Sequence, residues 1–237
     1  MKNQKPRRKG FTLIELLVVI TIIGILAGIA IGAFGSIFGQ AGQLSAADKL
    51  GDIHKAITQA YKGRTKFPTN LDDQSPAGFA DWFAKKTRQP DASFWYIDED
   101  DKVLALMEEG GSGLPSSMTG NLDQDQKDAI AWVIALPNTD EASSKLDQNL
   151  RSGPFPIMWT RGLSGTEWDA DSPWSGDGGH VMFSNGRVDW FETTENDGGG
   201  VFLKPPPEDA DEDAELELVS NIEDALPPGW EPVGGSN

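Results

Sequence analysis

The chain turns apolar early and stays so. From Phe11 to Phe38 every position is apolar, small or weakly polar except Glu15. A run of this length suffices to cross a bilayer, so a transmembrane helix is predicted over residues 11–38. Beyond it the period changes with no intervening proline. Leu44, Ala47, Leu50, Ile53, Ala56, Ile57, Ala60 and Tyr61 recur at three or four, which marks one face of an amphipathic helix over residues 39–62. The two stretches read as one helix. At about 1.5 Å per residue it would reach about 75 Å from Phe11 to Tyr61, of which about 30 Å covers the hydrocarbon core. Gly63 and the pair Phe67-Pro68 then stop it.

Residues 63–204 carry the mixed signals of one small domain, too short for two. Ser75-Pro76 supplies a cap and first turn for a helix with Phe79, Trp82 and Phe83 on it. Phe94 to Ile97 and Val103 to Met107 read as two strands around an acidic turn. Asp123 reads as the cap of a helix whose apolar members are Ile130, Ala131, Val133, Ile134 and Leu136. Pro156 to Thr160 supplies a strand. The clearest signal is late: His180 to Ser184 and Arg187 to Phe191 flank Asn185-Gly186, a hairpin in which both turn residues are expected at positive φ. The expected fold class is therefore α+β, a long amino-terminal helix packed on a small antiparallel β-sheet domain.

Charge sets the orientation. Lys2, Lys5, Arg7, Arg8 and Lys9 precede the apolar run with no acid among them, which holds the amino end in the cytoplasm and places the head outside, in the periplasm. Loss of residues 1–10 would take the formal net charge from −17 to −22, since five cations leave with them. So acidic a head repels nucleic acid, and none is expected to bind there. Cysteine is absent, so packing alone must hold a domain exported to an oxidising compartment. Beyond Lys204 no basic residue remains, while acids gather among prolines and glycines; residues 205–237 are expected to form a disordered acidic tail. Within it Leu216, Leu218, Val219, Ile222 and Leu226 can form a short helix on contact with a partner.

The junction Arg7-Arg8-Lys9-Gly10-Phe11-Thr12-Leu13-Ile14-Glu15 places a carboxylate inside the apolar run. An acid there costs about 2–3 kcal/mol near a helix centre and less near an end, so it is rarely kept without a partner. A secretory signal peptide has an apolar core of about 7–15 residues and a cleavage site after it, whereas this core is about twice as long and its glycine comes first. A plain signal anchor explains the length and the basic flank, but neither Glu15 nor Gly10-Phe11. The pattern Gly10-Phe11 with Glu15, followed by Ile22-Ile23-Gly24-Ile25-Leu26-Ala27, resembles the class III leader and helix start of type IV pilins and type II secretion pseudopilins. The resemblance is close up to residue 35 and looser to Tyr61.

That resemblance implies a leader at residues 1–10, cut by a prepilin peptidase between Gly10 and Phe11, and N-methylation of Phe11. Glu15 would pair with the Phe11 amine of a neighbouring subunit. The implied partners are the peptidase, other pilin or pseudopilin subunits and an inner-membrane assembly platform. Where many pilins carry a proline in the helix this chain has Ile31-Gly32, which leaves the kink to glycine. Lack of the carboxy-terminal disulfide loop of many adhesive pilins points to a pseudopilus subunit of type II protein secretion. Two alternatives stay open: a type IV pilus subunit serving adhesion, motility or DNA uptake, and a membrane-anchored binding module delivered by a pilin leader. An exposed patch drawn from the eight tryptophans would favour the module, and their burial the fibre.

Little else carries chemistry. Gly24, Gly28, Gly32 and Ser36 recur every four residues, a small-residue stripe that lets helices approach closely in a fibre core. His54 and His180 have no cysteine or second histidine at ligand spacing, so both read as structural. The loops Gly110 to Gly113 and Gly198 to Gly200 lack the Lys-Ser/Thr of a phosphate loop. Asp169, Asp171 and Asp177 alternate in one loop and offer oxygen ligands to calcium, which major pseudopilins as a family bind near their sheet loops, but the spacing is not that of an EF-hand. No catalytic residue, resident metal or cofactor is expected.

Overall fold

The computed structural model describes residues 13–61, 67–144, 153–197, 199–205 and 217–233; the side chains of 27, 29–40 and 144 are outside that description. Contacts divide the chain into two units, Met1–Ala41 and Gly42–Asn237. Helix α1 (Leu13–Ala60) begins in the first and ends in the second, passing through Gly24, Gly28 and Gly32 with no proline to interrupt it. Its end at Ala60 agrees with the stop read from the sequence.

In the second unit four short helices, α2 (Pro76–Thr87), α3 (Asp101–Met107), α4 (Gln124–Asp128) and α5 (Asp140–Ser144), surround an antiparallel sheet. Its strands are β1 (Trp132–Pro137), β2 (Pro156–Thr160), β5 (Gly179–Phe183), β6 (Val188–Phe191) and β11 (Trp230–Val233), in the order β11-β1-β2-β5-β6. Two-residue pairs complete the set: β3 (Leu163–Ser164) with β4 (Glu167–Trp168), β7 (Glu195–Asn196) with β8 (Gly199–Gly200), and β9 (Phe202–Leu203) with β10 (Leu218–Val219). Register aligns Val133 with Trp159, Trp159 with Val181, and His180 with Trp190. The α+β expectation holds for this unit.

The amphipathic face of α1 is the floor of the core, but it is rotated from the expected one. Ala46, Leu50, Ile53, Ala56 and Ile57 are buried, while Leu44 is exposed and Ala47 half-buried. Full burial of each of Leu50, Ile53 and Ile57 contributes about 1.5–3 kcal/mol. Two loops seat this face. Lys49 Nζ donates to the Tyr96 carbonyl at 2.7 Å, and His54 Nε2 donates to the Ser184 carbonyl at 3.3 Å. Gly186, at φ +85°, brings its backbone against the His54 ring, where a Cβ would collide. The turn is therefore a glycine requirement, but only at its second residue: Asn185 stays outside the positive-φ region, with Gly186 N donating to Phe183 O and Phe183 N to Arg187 O. That is a tight turn followed by a one-residue bulge, in which one left-handed residue suffices.

Three readings of local structure are corrected. Val103 to Met107 is helix α3, because the Asp100 side chain caps it by accepting from Lys102 N at 3.0 Å, and Val103 and Leu106, three apart, face inward. Phe94 to Ile97 is a single 3-10 turn over Ala92–Phe94 and a buried coil, held where Ala131 N donates to Trp95 O and Trp132 Nε1 to Phe94 O. Asp123 does cap a helix, through a capping box with Gln126, yet α4 ends at Asp128 and the apolar run after it becomes β1. An unbroken apolar run of this length has no period to tell helix from strand. Here α2 and α5 pack against β1, and every residue of that strand is buried.

The expected disorder of residues 205–237 is also corrected over 217–233, residues 206–216 and 234–237 lying outside the described ones. β11 pairs with β1, aligning Trp230 with Pro137 and Val233 with Ile134. Trp230 is buried and meets Phe67 and Phe155 edge-on, with ring centroids 5.7 and 5.2 Å away. Acidic composition concealed the few apolar residues, Ile222, Ala225, Leu226 and Trp230, that offset the ordering cost. Trp230→Ala is expected to cost about 3–5 kcal/mol in urea unfolding of the detergent-solubilised chain, against under about 1 kcal/mol for the exposed Glu231→Gln. Equal unfolding midpoints would show that β11 adds nothing to the fold.

Candidate functional site

Of the residues expected to carry assembly, Gly10 and Phe11 lie outside the described residues. Glu15 falls in the first turn of α1, where the helix dipole favours an anion. Around it Leu13, Ile14, Leu16, Leu17, Val18, Val19 and Ile20 are all exposed, and so are Ile22, Ile23, Ile25 and Leu26. No preferred face exists: the helix is apolar all round, as helices are that end up surrounded by lipid or by other helices. Thr21, the polar exception, turns its hydroxyl inward and donates to Leu17 O at 2.8 Å. Gly24 and Gly28 open on empty space among the described residues. Among the described residues no helix is long and apolar enough to cross a membrane. Of the expected span of 11–38, residues 11 and 12 and the side chains of 27 and 29–38 lie outside the description.

The head holds its polar groups internally. Arg161, after β2, is buried and donates from Nη1 and Nη2 to Asp100 Oδ2 and Oδ1 at 2.6 and 2.7 Å. The same Asp100 caps α3, so one carboxylate ties a helix to the sheet. No spacing in the sequence announces a pair so far apart. Asp171 is drawn into this group by Lys102 and by Arg161 Nε at 3.5 Å, while Asp169 Oδ1 accepts from Asp171 N at 2.8 Å. Among the described residues no three acidic or histidine side chains converge as metal ligands, and Asp169, Asp171 and Asp177 do not form a calcium cage. The two histidines are apart. His54 lies under the hairpin turn, and His180 sits between Trp174 and Trp190 with ring centroids at 5.3 and 4.9 Å.

Tryptophan burial bears on the choice between fibre and binding module. Trp95, Trp132, Trp159, Trp168, Trp174 and Trp230 are buried, and only Trp82 and Trp190 are half-buried. No broad aromatic patch is left on the described surface.

The model of the prokaryotic N-terminal methylation motif matches residues 5–31. Over 64 residues the chain is 45% identical to type IV major pilin protein PilE1 of Neisseria gonorrhoeae, covering 27% of this chain and 38% of that protein. A fimbrial protein of Neisseria meningitidis serogroup A is 40% identical over 75 residues, 31% of this chain and 44% of the relative. The amino-terminal segment of the chain thus carries the methylation motif and is similar to the start of type IV pilins. Type IV major pilin protein PilA of Myxococcus xanthus is 37% identical over 75 residues, 32% of this chain and 33% of that pilin. The chain thus spans less than half the length of these pilin relatives. No solved structure matches it.

The two histidines are expected to make the head sensitive to acid. Burial lowers the His180 pKa to about 4 and also lowers that of His54, against the opposing hydrogen bond to Ser184. Below its ordinary value near 6.5 the unfolded chain therefore binds a proton that the folded chain refuses. Stability is full above about pH 6.5 and falls as pH drops from there to about 4, by up to about 3 kcal/mol for His180. Unfolding midpoints taken across pH 4 to 7 should show this slope reduced in His180→Phe; an unchanged slope would mean that His180 is not the proton acceptor.

Proposed function

We propose that this chain is a structural subunit of a pilus-like fibre, assembled through α1 after a prepilin peptidase removes residues 1–10. The observation that carries the proposal is the exposed apolar surface of α1 from Leu13 to Leu26, interrupted by the acid Glu15, within a segment that matches the methylation motif. Isolated domains do not leave so long an apolar surface open without a use. Neighbouring helices would cover it in the fibre, and lipid before assembly. Glu15 would pair with the amine of a neighbouring subunit's methylated Phe11, and Gly24, Gly28 and Gly32 would let helices approach closely. The subunit is held in the inner membrane by one pass, with its amino end cytoplasmic and its head periplasmic, and meets an assembly platform there.

Between the two machines, a type IV pilus is favoured over a type II secretion pseudopilus. The named relatives are pilins and fimbrial proteins, and this outweighs the pointer from missing cysteine. The binding-module alternative loses its support where most tryptophans are buried.

Intact mass of protein recovered from membranes tests the reading. The natural chain is expected to start at N-methyl-Phe11, and Gly10→Val to keep Met1 or the full leader. Glu15→Ala should be processed normally yet yield fewer sheared fibres by about tenfold or more, the equivalent of about 1.4 kcal/mol per added subunit. Gly28→Leu should insert normally and also assemble poorly. An uncut natural chain, or normal fibres from Glu15→Ala, would refute the assignment.

A further inference from the structure

A cleft of about 700 Å³ opens in the head between the loop before α2, α2 itself and the loop at residues 118–122. Its volume lies in the range of small-molecule sites, about 300–1,000 Å³. One wall is Trp82, half-buried, whose ring rests on the fully buried Phe79 at 5.2 Å and so is held in place from behind. The rim carries the exposed amides of Asn70 and Asn121 and the carboxylates of Asp73 and Asp81.

Charge narrows the ligand. In a chain of net charge −17 this cleft is balanced, with Asp72, Asp73 and Asp81 set against Lys85, Lys86 and Lys127. The balance is local: Lys85 Nζ donates to Asp81 Oδ2 at 2.6 Å, Lys127 lies 3.9 Å from Asp73, and Lys86 sits over the Tyr61 ring at 4.3 Å. A polyanion or a bare cation would find most of its counter-charge already engaged. What remains is a flat indole, amides that both donate and accept, and carboxylates with acceptor sites to spare. Sugar hydroxyls need mixed donors and acceptors, and the C–H face of a sugar ring needs a flat apolar surface.

The walls are also set in advance. Ser75 Oγ accepts from Gly78 N at 3.1 Å to cap α2, and Gly78 lies so close to the Asp73 carbonyl that a Cβ would collide with it. The Asp72-Asp73 loop is thereby fixed to the first turn of the helix. Across the cleft, Met118 N donates to Pro90 O at 2.9 Å. A site formed before its ligand arrives avoids an ordering cost on binding.

We propose that this cleft binds a neutral oligosaccharide, with Trp82 stacking on a sugar face and Asp81, Asn70 and Asn121 holding its hydroxyls. The site is separate from the assembly surface of α1, and failure of either leaves the other standing.

The test is calorimetric titration of the full chain in detergent with chitotetraose, cellotetraose, maltotetraose and lacto-N-tetraose, beside sialylated and sulfated forms of the last. A neutral sugar is expected to bind with an affinity that added salt does not change. Trp82→Ala should weaken it by about tenfold or more, while Trp190→Ala, at the other half-buried indole, should not. Because Trp82 packs on Phe79, the exposed Asn121→Ala is tested in parallel; it should keep the wild-type unfolding midpoint and still bind more weakly. Absence of binding by every neutral sugar, preference for the charged forms, or wild-type affinity in both Trp82→Ala and Asn121→Ala would overturn the proposal.

Discussion

Burial of one stripe of α1, Ala46, Leu50, Ile53 and Ile57, beneath the head is the contact on which the rest of the structure depends. It makes the carboxy-terminal half of the helix part of a folded domain. Without that contact the coil from Trp95 to Ile97 and the turn at Gly186 would lose the surface against which both are seated. The amino-terminal half of the same helix is built differently. From Leu13 to Leu26 its apolar side chains surround the axis, which no packing on a single sheet can satisfy.

Within the head the sheet solves a problem that missing cysteine sets. No covalent staple is available, so the central strands are buried on both faces and the ends are tied by side chains. Asp100 and Arg161 join α3 to the end of β2, and Trp230 closes the far edge against Phe67 and Phe155. A buried pair of this kind gives little net stability when intact, but losing one partner leaves a bare charge inside. Its value lies in fixing how the helices meet the sheet.

Local chemistry made some of this legible in the sequence. The cap at Ser75, the capping residue Asp123, the strand Pro156–Thr160 and the Asn185-Gly186 hairpin are decided by neighbours in the chain, and each is found where the pattern put it. Elsewhere tertiary context prevailed. The run from Ile130 to Leu136 has no period, and only packing from α2 and α5 makes it a strand. Val103 to Met107 has strand-like composition until the cap at Asp100 is counted. The acidic tail conceals β11, since average composition cannot reveal that one tryptophan has a prepared pocket. The Asp100–Arg161 pair and the Trp82 cleft join residues distant in sequence and leave no local trace.

Freedom from cysteine makes the central claim, that the exposed apolar half of α1 is the contact between subunits, open to direct measurement. Single cysteines at Ile20 and at the exposed Gln59, introduced separately into the cysteine-free chain, would be oxidised in membranes and sheared fibres and sized without reductant. The account predicts disulfide-linked dimers from the Ile20→Cys chain, dependent on Glu15, and markedly fewer from Gln59→Cys. Monomers alone from Ile20→Cys, with dimers forming through the head, would contradict it.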